Sequence, residues 1–149
     1  MSVPMQLPAF IRARDFEKVY WPSWIALANH LVSLGIRPLF QLEKSYAHLM
    51  DHVAELPAGC GVYLEDDMPW DVKTAAPHLF VVAGISLQDL KLKQTDECID
   101  FVKNMIDRTA PFGGFVFSVN SIMLTLSDVR PENLIAVHDF VKEYGKYGA

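Results

Sequence analysis

Four short apolar runs, each set apart from the next by a helical segment, constrain this chain more than any other feature. They lie at 37–42 (RPLFQL), 61–64 (GVYL), 78–85 (HLFVVAGI) and 114–119 (GFVFSV). Their length suits strands, and they are apolar on both faces, as strands of a parallel sheet are. The segments between them carry helical spacing. A helix is predicted from Asp15, with Phe16, Val19 and Tyr20 on one side. Pro22 opens a second helix carrying Trp24, Ile25, Ala28, Leu31 and Val32, and Gly35 ends it. Ser45 is placed to cap a helix with Tyr46, Leu49, Met50 and Val53. A short helical segment covers 70–76. Thr95 is placed to cap a helix with Ile99, Val102, Met105 and Ile106. The last helix opens at Pro131-Glu132-Asn133, carries Leu134, Val137, Val141 and Tyr144, and stops at Gly145. Residues 1–12 hold two prolines and no period, so an irregular arm is expected up to about residue 14, where the first helix begins. The order is one helix and then four strand–helix units. That alternation specifies an α/β domain with about four parallel strands, covering helices and right-handed crossovers.

The 149 residues suit a single domain, 1–149, large enough to bury a core without disulfides. Hydrophobic residues at 51% and charged residues at 21% exclude a disordered chain. A net charge of −5 argues against a nucleic-acid or anionic-membrane surface. No apolar run approaches the length of a membrane span, and the start of the chain lacks the basic-then-apolar order of a signal peptide. A cytoplasmic protein is expected. Cys60 and Cys98 sit within apolar patterns and read as buried thiols in a reducing compartment. No glycine-rich phosphate motif is present, because Gly113-Gly114 enters a strand instead of following one.

Two groups of residues carry a family pattern. One is Gly113-Gly114-Phe115-Val116-Phe117, then Pro131-Glu132-Asn133-Leu134-Ile135-Ala136, then Glu143-Tyr144-Gly145 with Tyr147. The other is Glu55-Leu56-Pro57, then Asp67-Met68 and Lys73. Together, over 15–147, they resemble the C-terminal half of the uroporphyrinogen decarboxylase family. That family includes the decarboxylase of haem synthesis and zinc-dependent methyltransferases that use methylated corrinoid proteins. The Glu-Leu-Pro, Asp-Met and Glu-Tyr-Gly-x-Tyr elements look most like its corrinoid-methyltransferase-like members. The resemblance implies a (β/α)8 TIM barrel, of which this chain would supply the parallel-sheet half, its fifth to eighth strands. The family's N-terminal half and arginine-rich substrate segment have no counterpart here.

In such a barrel function lies at the C-terminal ends of the strands. There the candidates are Gln41, Glu43, Asp66, Asp67, Asn120 and Ser121. Gln41 and Glu43 share one side of their strand by alternation. They occupy a place resembling the methyltransferases' His-x-Cys zinc pair, so the soft ligands are lost. Glu43 could still ligate a metal through oxygen, or simply favour the start of the next helix. Asp66 and Asp67 follow Glu65 at a strand end, where three acids can hold a cation or form a solvated loop. Asp67 matches the family pattern. Ser121 falls where the resemblance places His in the decarboxylases and Cys in the zinc methyltransferases. Asn120 and Ser121 can bind a polar ligand or cap a loop. His48 and His52 share a helix face, but packing is their commoner use. The aromatics Phe16, Tyr20, Trp21 and Trp24 read as core. No tightly bound zinc is expected; zinc and corrinoid are implied by the resemblance alone.

If active, the chain would be a corrinoid-dependent methyltransferase-type or decarboxylase-type enzyme. The alternative is a non-catalytic small-ligand or partner-binding module, or the remnant of a split gene. Four barrel strands leave two open edges and an inner face exposing Phe40, Val82, Phe117 or their neighbours. A homodimer closing eight strands is therefore expected, or pairing with a separate N-terminal half. If residues 1–35 folded back over that face, the result would be a monomer.

Overall fold

The computed structural model describes residues 1–146, so Tyr147 of the family-like ending lies outside the described residues. The core of the fold is one parallel sheet of five strands in sequence order: β1 (Ser2–Met5), β2 (Leu39–Leu42), β3 (Gly61–Leu64), β4 (Phe80–Ile85) and β5 (Phe115–Val119). Helices α1 (Ala13–Val19) and α2 (Trp21–Ser33) join β1 to β2, and α3 (Met50–Ala54) joins β2 to β3. Then α4 (Pro69–Ala75) leads to β4, α5 (Leu87–Leu92) and α6 (Thr95–Thr109) lead to β5, and α7 (Pro131–Tyr144) follows it. Each strand lies beside its sequence neighbour, as in a run of consecutive barrel strands. No helix among the described residues is long and apolar enough to cross a membrane.

The four expected strands are present, and a fifth corrects the reading of the N-terminus. Residues 2–5 form β1, parallel to β2 with Pro4 opposite Gln41. Four residues with a proline among them carry no strand signal of their own. Proline is nonetheless tolerated on an edge, where one neighbour needs no N–H. Leu39 N donates to Met1 O, so alternation turns residue 4 outward and no ladder bond is lost.

The sheet has two unlike faces. One lateral row, Phe40, Val62, Val81 and Phe115, is buried under the helices. Trp24 of α2 meets Phe40 edge-on with ring centres 5.4 Å apart, and Phe16 and Trp21 extend the cluster. The adjacent row, Pro4, Gln41, Tyr63, Val82 and Val116, faces the other way, and none of its members is fully buried. This is the inner face. Val82 lies on it as expected, whereas Phe40 is fully buried beneath α2 and Phe117 packs against the helix-side core. Residues 1–35 extend the sheet and cover its helix side; they do not fold over the inner face.

Local signals mostly set the helix ends. Pro22, Pro69 and Pro131 lie in the first turns of α2, α4 and α7, where a missing N–H costs little. Gly35 follows α2 with φ +74°, a conformation that disfavours a side chain. Two expected caps differ. Gln94, not Thr95, caps α6, in a reciprocal box with Glu97. The Thr95 hydroxyl instead donates to Asn133 at 2.7 Å. Ser45 lies before a 3-10 turn at Ala47–Leu49, and its hydroxyl donates to Asp67. Val19 is exposed, since α1 ends there and only Phe16 points inward. Helix α5, capped by Ser86, had no clear apolar period.

Candidate functional site

At the C-terminal ends of the strands the inner face opens into a cavity of about 340 Å³. Gln41 and Leu42 line it from β2 and Glu43 from just beyond, Tyr63 from β3 and Glu65 from just beyond, and Asn120, Ser121 and Ile122 from beyond β5. Four of the six residues singled out in the sequence therefore meet in one place. Alternation brings Gln41 and Glu43 in from β2, and the same alternation brings Tyr63 and Glu65 in from β3. The apolar content of its run does not mark Tyr63 as a site residue. Extending the two-residue period from Gln41 to the neighbouring strand would have found it.

Hydrogen bonds fix most of these groups. Gln6 Nε2 donates to Glu43 Oε1 at 3.1 Å, tying the end of β1 to the site. Lys44 adopts φ +65°, and its backbone N–H donates to Glu65 Oε2 at 2.8 Å. Its ammonium pairs with Glu65 Oε1 at 3.1 Å. That hydrogen bond, with the charges of Glu65, Asp66 and Glu43, raises the Lys44 pKa. Asn120 bridges three elements. Its N–H donates to Ile85 O, its Nδ2 donates to Glu65 O at 3.1 Å, and its Oδ1 accepts from Leu87 N. Ser121 Oγ lies 3.4 Å from Asn120 Oδ1. The Tyr63 hydroxyl crosses β4 to donate to Val119 O, and burial raises its pKa. Gln41 is only partly buried and borders the cavity.

Asp66 and Asp67 go elsewhere. They border an adjoining depression of about 220 Å³ that shares Glu65 and Asn120 with the first and also takes in Met68, Ser86 and Asp89. Asp67 accepts from Ser45 Oγ at 2.7 Å and from Tyr46 N at 2.6 Å, so its carboxylate ties the loop after β2 to the loop after β3. This is a structural clamp, and the family-like Asp-Met pair has a mechanical reason to be here. The paired histidines also pack. His52 sits edge-on to Phe16 and Trp21, and His48 Nε2 lies 3.2 Å from Ile11 O.

The donor set at the cavity is amide, carboxylate and hydroxyl oxygen. Among the described residues no group of three or more His, Cys, Asp or Glu is placed to hold a metal ion. Thiolate and imidazole, the usual zinc ligands, are not among the cavity's side chains. These residues do not fit a zinc centre of that kind.

No protein-family model matches the chain, and no curated protein matches it in sequence. Among solved structures, a methyltransferase from Methanosarcina mazei is similar in fold, with a TM-score of 0.71 over 97% of this chain. The two are 13% identical, and the chain spans 42% of that structure's length. At that identity the likeness is one of fold: this chain reproduces part of a methyltransferase's α/β architecture.

Proposed function

We propose that the cavity framed by Gln41, Glu43, Asn120 and Ser121 binds a small polar ligand, in a half-barrel whose reaction, once the barrel is complete, is methyl transfer. The supporting observation is the convergence of these four side chains, from strands at two sides of the sheet, at the C-terminal strand ends. Gln41 offers both an acceptor and donors, Ser121 a hydroxyl, and Glu43 the oxygen that Gln6 leaves over. The fold likeness to a methyltransferase favours that chemistry over decarboxylation. An acidic porphyrinogen would call for cationic partners. None of Arg12, Arg14, Arg37, Arg108 and Arg130 lines the cavity.

Completion is part of the proposal. Five strands need three more to close eight, and the inner face then becomes a lumen. A separate N-terminal half with three strand–helix units meets that count. A second copy brings ten strands, so an eight-stranded ring would leave the outermost β1 of each copy unused. The binding-module reading draws support from Glu65 and Asn120, whose polar atoms are largely spent on internal hydrogen bonds.

Ligand-observed NMR against small polar and methylated compounds tests the binding site. Hits should lose affinity in Gln41→Leu and Ser121→Ala proteins. Hits that bind both variants as tightly as the wild type would place the site elsewhere. Loss of methylcorrinoid absorbance with a thiol acceptor, measured on the completed assembly, separates catalysis from binding alone.

A further inference from the structure

A second cavity, of about 350 Å³, lies at the opposite, N-terminal end of the strands. Its ionisable walls are Arg37, just before β2; Cys60, before β3; Lys73, reaching back from α4; and His78, before β4. In a chain of net charge −5, no aspartate or glutamate among the described residues lines it. The cavity at the other end, by contrast, holds Glu43 and Glu65.

Lys73 is the unusual member. Its side chain is 1% exposed, yet its ammonium forms no ion pair among the described residues. Two of its protons go to backbone carbonyls, Pro77 O at 3.1 Å and Leu79 O. Neutral carbonyls satisfy hydrogen bonds but leave the buried charge uncompensated, which is costly in a poorly solvated place. Burial alone accordingly lowers its pKa. Gly114 stands beside the ammonium at φ +58°, and a Cβ there would lie 3.4 Å from Nζ. Arg37 is exposed at the rim, where a guanidinium can fork onto two oxygens.

We propose that this cavity binds a small oxyanion of the phosphate class, held between the buried Lys73 ammonium and the Arg37 guanidinium. The anion supplies the counter-charge that the protein withholds from Lys73. The site is independent of the cavity at the C-terminal strand ends, so the two can be filled separately.

Calorimetric titration of the full chain with inorganic phosphate, at ionic strength fixed with chloride, tests this. One saturable site is expected, with a thermal midpoint that rises with phosphate and not with chloride. A phosphate monoester run in parallel tells free phosphate from a phosphate group on a larger ligand. Arg37→Gln should weaken binding about tenfold, the loss of one charge-assisted contact, with circular dichroism unchanged. Lys73→Met should abolish binding if it folds; Arg37 is exposed, so its variant decides the matter if Lys73→Met does not. Equal responses to phosphate and chloride would overturn the proposal. So would phosphate binding that Arg37→Gln leaves intact, because the anion would then not be held between Arg37 and Lys73.

Discussion

Gly84 approaches Ser118 so closely across the β4–β5 ladder that a Cβ on Gly84 would fall 1.3 Å from the Ser118 carbonyl oxygen. That atom is backbone in a strand and cannot swing away. Two residues on, Asn120 N–H donates to Ile85 O and its side chain begins the cavity wall. The closeness of β4 and β5 therefore sets where Asn120 and Ser121 stand. Gly84→Ala is expected to destabilise by more than the ~1–3 kcal/mol of ordinary overpacking. Urea unfolding measures this, and a midpoint equal to wild type would show that the strands separate freely.

Asp67 and Gln41 should behave as opposites. Asp67 spends both carboxylate oxygens on Ser45 and Tyr46, so Asp67→Ala leaves the Tyr46 N–H without its acceptor. A loss of about 1–3 kcal/mol is expected. Gln41→Leu has no such partner to orphan and should leave the urea midpoint within about 0.5 kcal/mol of wild type while removing ligand binding. If Asp67→Ala binds ligand poorly at full stability, Asp67 belongs to the site after all.

Asn133, fully buried in the first turn of α7, donates to Leu90 O at 2.9 Å and Lys93 O at 3.1 Å, and its Oδ1 accepts from Thr95. One side chain thus locks the end of α5, the start of α6 and α7 together. Asn133→Ala strands the Lys93 carbonyl and the Thr95 hydroxyl, while Leu90 O keeps the Arg130 N–H, and a cost of about 1–3 kcal/mol is expected. Asn133→Asp should also destabilise, because it replaces the donor with a charge. Chemical denaturation of both variants checks this; a near-neutral Asn133→Ala would mean that the helices hold without the lock.

These residues show what could be read in advance. The strands at 61–64 and 80–85 were legible because unbroken apolar runs have few other uses. Gln41 and Glu43 were legible as neighbours because strand alternation is rigid. The roles of Asp67 and Asn133 were hidden, since both depend on partners more than 20 residues away that no local pattern names. β1 was hidden for another reason. A four-residue edge strand with a proline is stabilised by the sheet it joins and not by its own propensity. The basic cavity was hidden too, because Arg37, Lys73 and His78 come together only when strand starts are aligned.

Alkaline pH should weaken the fold, and the sign follows from burial. Cys60 is fully buried and its pKa is pushed up from 9.0 to about 11 by desolvation. Tyr46 and Tyr63 are also raised, chiefly by burial. In each case the folded pKa exceeds the unfolded one. The contribution is therefore complete below the unfolded pKa and is lost as pH climbs to the folded value. For Cys60 that window runs from about pH 9 to about 11 and is worth on the order of 2–3 kcal/mol. Lys73, lowered by burial, offsets part of the loss as pH rises toward 10.5. Urea midpoints at rising pH should fall across this range. Cys60→Ala should begin less stable and fall less. Parallel curves for the two proteins would remove Cys60 from the account.

The isolated chain is expected to self-associate, and the sheet shows where. The inner-face row from Pro4 to Val116 is not fully buried at any position, and Val116, on the outermost strand, is 53% exposed. Beyond the strand ends, Phe10 after β1 and Ile122, Leu124 and Leu126 after β5 are each more than three-quarters exposed. Exposed large apolar side chains of this kind favour association. The two edges differ, because Pro4 turns outward and blunts β1, whereas β5 contains no proline. Contact should therefore form at the inner face and the β5 side. Light scattering at micromolar concentration is expected to give a multiple of 16.8 kDa. Val116→Lys and Ile122→Lys together should return it to one chain without changing the circular dichroism, since both side chains already face solvent. Addition of a three-stranded N-terminal half should compete with self-association for the same face. A wild-type chain that runs as a monomer would show that the open face is stable in water, and the requirement for completion would fall with it.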